Sequence, residues 1–372
     1  MKSNFVRLGD YIEQTDIRNT DLSVDLLLGV SIEKKFIPSI ANTIGTDFSN
    51  YKVIKKNQFA YGPVTSRNGD KISIALLNDA EKCIISSSYI SFEIIKKEEI
   101  NSEYLMLLFS SSEFDRYARY NSWGSAREVI SWEDFCNIKI NLPTIEEQKK
   151  IIKLYKTINK RINVLAEINN VLEKTAFILF NDKTCNTICH KKKLKELGEV
   201  VTGKTPSMSI EKYYNSNDIP FIKTPDMHED IFVTKYECYM SKDGANSQKN
   251  KYLPPNTVIM SCIGSTGAGE ISLTSEISQT NQQINAIKSD YPFFIYCSLK
   301  NEKNKILTLG DGSTTMVNIN KTDFENFEIN TLEEEKMRCL NEQLERIFTK
   351  ILQNTLEKQK LIQISKHIID LF

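Results

Sequence analysis

Hydrophobic positions along the chain fall into two regimes, long helical stripes and short strand-like runs. Between Glu146 and Phe180 there is no Gly or Pro, and Ile151, Ile158, Leu165, Leu172 and Leu179 recur at seven-residue intervals. Leu154 and Ile168 take the offset positions of the same stripe, with Arg161 and Thr175 as interruptions. A seven-residue apolar repeat predicts a helix whose seam packs on another helix. A second stripe runs through Met337, Leu340, Leu344, Ile347, Ile351, Leu361 and Ile368, interrupted by Asn354 and Lys358, again without Gly or Pro from Leu332 to Phe372. The two stripes most simply bury each other as an antiparallel coiled coil; the alternative is that each packs on its own domain. Thr144 and Thr331, each followed by acidic residues, suit helix starts. A hydroxyl there accepts from free backbone N–H groups, and carboxylates oppose the positive end of the helix dipole.

Elsewhere, short β-branched runs predict strands: LLLGVSI (26–32), YISFEII (89–95) and TVIMSCI (257–263). The segment EYLMLLFSSSEFDRYARY (103–120) predicts a helix. The two halves of the chain are alike at their ends. One opens with Leu8-Gly9-Asp10, the other with Leu197-Gly198-Glu199, after a basic start HKKKLK (190–195). One closes GSAREVISWEDFCNIKI (124–140) then TIEEQKK (144–150); the other closes GSTTMVNINKTDFENFEI (312–329) then TLEEEKM (331–337). The middles share little sequence. Alike ends with unlike middles predict one scaffold carrying two different cargoes. The expected fold class is α+β, with two α/β-mixed domains in pseudo-twofold repeat and two long helices. The expected boundaries are 1–143 and 183–330 for the domains, and 144–182 and 331–372 for the helices.

Composition narrows the class. The 372 residues carry 48 basic and 48 acidic side chains, so any nucleic-acid contact needs locally segregated positive charge. Eight scattered cysteines lack a disulfide-framework pattern, as expected in a reducing compartment. No apolar run approaches a membrane span, and the start MKSNFVRLGDYIEQ has charges where a signal peptide has an apolar core. The expected location is cytoplasmic.

Catalytic and metal chemistry find little support. GEVVTGKT (198–205) matches the phosphate-loop pattern, but HKKKLKEL precedes it where a buried strand is needed, and Pro206 follows where a helix should begin. His190, His228 and His367 show no metal-ligand spacing. Cys185, Cys189 and His190 lack a second ligand pair at zinc-site distance. There is no Asn/Asp-Pro-Pro-Tyr/Phe sequence of the kind that amino-methyltransferases use to hold a flipped base, and no convincing nuclease carboxylate–lysine constellation. The expectation is a non-enzyme with no metal and no cofactor of its own. Three polar segments remain. YGPVTSRNGDKI (61–72) forms a turn that Gly69 can tighten. SCIGSTGAG (261–269) is a Gly-rich turn after a strand, able to present N–H groups to an anion. The amides of QTNQQ (279–283) can either read adenine edges or cap buried loops.

Nearly the whole chain resembles the specificity subunit of type I restriction–modification systems. The resemblance rests on an ordered set of short motifs. Each half begins near Leu-Gly-Asp/Glu and ends with Gly-Ser, Phe, Leu-Pro and Glu-Glu-Gln before a helix. Here these are Gly124, Ser125, Phe135, Leu142, Pro143, Glu146, Glu147 and Gln148, then Gly312, Ser313, Phe324, Glu333 and Glu334. The second half departs by having Glu335 where Gln is usual, and by lacking the Leu-Pro.

The resemblance implies a non-catalytic reader of double-stranded DNA with two target-recognition domains. It implies assembly with two methyltransferase subunits, which would carry S-adenosylmethionine, and with restriction subunits where the system cleaves. On that reading Arg67, Asn68, Lys71, Lys204, Ser207, Gln282 and Gln283 are DNA-contact candidates. The helix seam is Ile151, Ile158, Leu165 and Leu172 against Leu340, Leu344, Ile347 and Ile351. The alternatives are the specificity subunit of a related type IIB system, and a structural adaptor that assembles partners through its helices without touching DNA.

Overall fold

A computed structural model describes residues 5–39, 45–66, 68–124, 127–187, 189–228, 230–264, 268–309 and 317–370. The chain divides into two compact units, Met1–Lys160 with Leu361–Phe372, and Arg161–Lys360.

In the first unit an antiparallel sheet runs in the order Ile12–Thr15, Ile90–Ile94, Phe59–Tyr61, Ile74–Leu76. Phe59 lies opposite both Phe92 and Leu76, and its ring stacks on Phe92 at 4.9 Å. Tyr61 stacks on Phe135 at 4.6 Å. All of these rings are buried, and burying one apolar side chain of this size stabilises by about 1.5–3 kcal/mol. The segment 103–120, expected as one helix, is two: Ser102–Phe109 and Ser112–Tyr120. The break falls in the serine run. Ser111 Oγ accepts from Phe114 N at 3.2 Å, so a side-chain cap starts the second helix where propensity alone would have continued the first.

The second unit repeats the plan. Its sheet runs Glu199–Thr202, Ile284–Lys288, Val258–Ser261, Ile271–Thr274, with Phe232–Val233 added in parallel at the edge. In both units one sheet strand, Ile90–Ile94 or Ile284–Lys288, leads to a helix, Ser102–Phe109 or Pro292–Asn301, and later to a short helix holding a fully buried phenylalanine, Phe135 or Phe324. Each unit is then closed by an antiparallel ladder between its first and last strands, Phe5–Arg7 with Lys139–Asn141 and His190–Lys193 with Glu328–Thr331. The alike ends of the sequence are alike because they zip together.

The long helices are Ile145–Cys185 and Glu334–Asp370. The first starts as expected. Glu147 N donates to Thr144 Oγ1 at 3.4 Å, and Thr144 N donates back to the Glu147 carboxylate at 3.0 Å, a reciprocal cap. The second starts later than expected. Thr331 ends a strand, and its hydroxyl donates to His190 O at 2.8 Å.

Within the second unit these helices run antiparallel. The Arg161 guanidinium meets the Glu357 carboxylate at 2.8 Å and 3.1 Å, while Asn169 meets Ile351 O, Asn354 and Thr355. Within the first unit, Asn159 donates to Ser365 Oγ at 3.3 Å. Ile158, Leu165, Leu340, Leu344 and Ile351 are buried, and Ile151, Leu172 and Ile347 are half-buried.

The expected offset positions are wrong by one residue. Leu154 and Ile168 are exposed, whereas Tyr155, Ile162, Asn169 and Ala176 are half-buried or buried. The true stripe alternates spacings of four and three from Ile151, so Arg161 and Thr175 interrupt nothing. Asn354 also belongs to the buried face, in a polar layer. Its amide donates to Asn169 Oδ1 at 2.9 Å, and Asn169 donates to Thr355 Oγ1 at 3.1 Å.

Candidate nucleic-acid interface

The repeat places the polar turns at matching points of the two units. The turn 61–72 leaves the strand Phe59–Tyr61 and returns as Ile74–Leu76; the turn 261–269 leaves Val258–Ser261 and returns as Ile271–Thr274. These pairs occupy the same positions in the two sheet orders. In each unit the residues just after the Gly-Ser landmark pair with this turn. Val64 bridges Val129, with Thr65 N donating to Glu128 O at 3.0 Å. Ile263 lies opposite Asn318, with Ile319 N donating to Cys262 O at 2.9 Å. Two segments that share no sequence are thus one structural feature.

In the second unit several candidates converge. Lys204 N donates to Thr280 O and Gly203 N to Ile284 O, each at 3.0 Å. Thr205 Oγ1 donates to Gln282 Oε1 at 2.7 Å, and Cys262 N donates to Gln283 O at 2.8 Å. Lys204, Gln282, Gln283 and the start of the 261–269 turn therefore form one cluster. Its tightness depends on Gly203, where a Cβ would lie 2.0 Å from Asn281 O. The same bonds use N–H groups that a phosphate loop would need for its anion, and no helix begins at Lys204.

The amide run divides by burial. Gln279 is buried, linked to Ala245 O and Gln248, and caps the interior; Gln282 is exposed and Gln283 half-exposed. Ser207 is exposed on a neighbouring turn, its hydroxyl 2.8 Å from that of Ser209. Positive charge gathers here. Burial, then the nearby Lys321, Lys204 and Lys288, push the Lys251 ammonium below its ordinary value.

The candidate Arg67 and the motif position Ser125 of the first unit, and the motif positions Gly312 and Ser313 of the second, lie outside the described residues. Asn68 is half-exposed, and its amide donates to Val64 O at 3.3 Å. Gly69 has φ +61°, as a tight bend requires. Lys71 is exposed and already ion-paired with Glu33 at 3.0 Å. Beside this turn stands a pair that the periodicity does not single out. Trp123 is 67 % exposed and Tyr120 77 % exposed, with ring centroids 6.5 Å apart at a T-shaped angle. The signal lay in the polar run Arg-Tyr-Asn-Ser-Trp-Gly-Ser (119–125), where such rings have no apolar neighbours to bury them.

Among the described residues no group of three or more His, Cys, Asp or Glu is placed to hold a metal ion. Cys185 is exposed and the Cys189 thiol lies 3.3 Å from Thr184 O. No helix among the described residues is long and apolar enough to cross a membrane.

A family model described as the type I restriction modification DNA specificity domain matches twice, over residues 26–174 and 189–366. The chain belongs to this family. It is 27 % identical over 395 residues to the Type I restriction enzyme HindI specificity subunit of Haemophilus influenzae, an alignment covering 84 % of this chain and 85 % of that one. It is 22 % identical over 301 residues to the MjaIX specificity subunit of Methanocaldococcus jannaschii, covering 74 % and 68 %. Its fold is similar to that of the type I restriction–modification S subunit from M. genitalium, with a TM-score of 0.62, 12 % identity, and coverage of 99 % and 96 %. As a member of the family this chain is a sequence-recognition subunit of a type I complex and not its catalyst.

Proposed function

We propose that each unit reads one half of a bipartite duplex target through its loop cluster, and that the chain thereby directs methyltransferase and restriction partners in the cytoplasm. The observation that carries this reading is the shared sheet order, with unrelated sequences in the same turn. A duplicated scaffold with different loops is what two different half-sites require, because phosphate contacts position a protein while loop side chains read base edges. Gln282 and Gln283 suit adenine edges, Asn68 can read the same base, and Lys204 with its lysine neighbours suits phosphates.

The partners are two methyltransferase subunits, holding S-adenosylmethionine, and restriction subunits where cleavage occurs. An outer apolar face supports docking on the first long helix. In the second unit, Ile168, Val171 and Ile178 of that helix are exposed, Ile178 at 70 %, and apolar side chains left in water favour a partner.

The test is to co-express the chain with its methyltransferase partner and map methylated bases genome-wide. The expected result is a two-part motif with unread base pairs between the parts. A continuous motif, or methylation independent of this chain, overturns the reading.

A further inference from the structure

We propose that Trp123, backed by Tyr120, is a DNA-contacting aromatic of the first unit that inserts against the base stack or sugar edge of its half-site. The inference rests on the DNA-reading function above.

The geometry has three parts. First, the Trp123 backbone is tied by two hydrogen bonds while its side chain is exposed. Trp123 N donates to Val129 O at 3.1 Å, and Val129 N donates to Trp123 O at 3.0 Å. Gly124 turns the chain at φ +144°, where a Cβ would lie 2.1 Å from Arg127 O. A backbone tied in this way under an exposed ring loses little conformational freedom on binding. Second, Val129 also bridges Val64, so the indole stands on the same small ladder as the turn holding Asn68 and Gly69, the element whose counterpart in the second unit lies beside Gln283 and Lys204. Third, arginines neighbour the pair in sequence, while two of the three carboxylates of that stretch are already engaged, Asp115 by Lys34 and Glu128 by Arg119. Arg116, Arg119 and Arg127 belong to the same stretch; Arg119 pairs with Glu128, while Arg116 and Arg127 are exposed and have no ion pair with any described residue.

Two adjacent exposed aromatics with exposed arginines nearby in sequence, without an ion pair among the described residues, match the chemistry of nucleic acid. Rings stack on bases or wedge into a groove, and arginines meet phosphates. A methyltransferase surface could also cover aromatic rings, but the exposed arginines and the neighbouring turn favour the polyanion.

The chain has two tryptophans, and the other, Trp132, is packed between Phe92 and Phe135. In a W132F variant the remaining indole of this chain should be unchanged when the methyltransferase partner is added without DNA, and in the assembled complex should be quenched by a duplex bearing the mapped target. In the otherwise native complex, W123A should weaken target binding about five- to hundred-fold, the range for one lost aromatic–base contact. W123F should recover most of it. Genome-wide, W123A should relax one half-site and leave the other intact. Equal affinity of W123A and wild type overturns the proposal, as does an indole signal that responds to the partner and not to DNA. If the wild-type complex itself binds no specific duplex, the proposed function fails with it; if wild type binds and W123A binds equally, only this inference fails.

Discussion

Replacing Gln148 should damage the first unit far more than its place near the start of a polar-looking helix suggests. The side chain is fully buried. Its amide donates to Glu99 O at 2.8 Å and Pro143 O at 2.9 Å, and its carbonyl accepts from Asn101 N at 2.9 Å. It therefore ties the start of the long helix to the residue that caps Ser102–Phe109. Q148A strands one N–H and two carbonyls, each costing about 1–3 kcal/mol when buried without a partner. Water entering the space restores part of this, leaving roughly 3 kcal/mol, or about 6–12 °C for a unit of this size.

Q148E sharpens the test. A carboxylate keeps the bond from Asn101 N but faces two carbonyl oxygens in a buried site, so its folded pKa rises above the unfolded value of about 4.3. The stability of the variant is retained below that unfolded value and lost as pH rises through the folded one. Thermal unfolding of the full chain, followed by circular dichroism, should show Q148E closer to wild type at acidic than at alkaline pH. The motif counterpart Glu335 is exposed, and E335A should shift stability by under about 0.5 kcal/mol. A Q148A shift below about 2 °C, or a Q148E deficit equal at both pH values, would refute the reasoning.

In the second unit Asn341 performs the corresponding tether, accepting from Phe293 N at 3.0 Å and Phe294 N at 3.1 Å, so N341A should cost about 1–3 kcal/mol in the same assay. Breaking the polar layer with N169A should cost a similar amount, whereas R161A, which removes an exposed ion pair, should cost under about 1 kcal/mol. Cys185 and Cys339 should react with a thiol reagent at once. Cys83, Cys136, Cys262 and Cys297, all buried, with Cys83 and Cys262 each pushed up to about 12 by burial, should react only after unfolding, as a timed absorbance assay will register. Exchanging residues 1–140 for those of another family member should change one half of the methylated motif and spare the other.

The repeat, the two helices, the helix start at Thr144 and the positions of Phe135 and Phe324 as landmarks were legible in the sequence; the burial of both rings was decided by the fold. Each legible feature depends on spacing within a short segment, and such local patterns survive without knowledge of the fold. The apolar seven-residue repeat also marked Ile158, Leu165, Leu344 and Ile351 as buried. It could not choose the companion positions, since spacings of three and four both place a residue near the seam. Packing chose four, burying Ile162, Asn169 and Ala176 in part or whole and leaving Leu154 and Ile168 in water.

The tether also passed between residues with no shared motif. Gln148 holds it in one unit, and Asn341 holds it in the other, on a later turn of its helix than Glu335. The equivalence of 61–72 and 261–269, and the arrival of Trp123 beside one of them, likewise arise from strand pairings between residues far apart in the chain. A single sequence records which side chains exist and how they are spaced. Which of them meet is settled when the sheet closes, because a buried polar group takes whatever partner the packed backbone brings within hydrogen-bond reach.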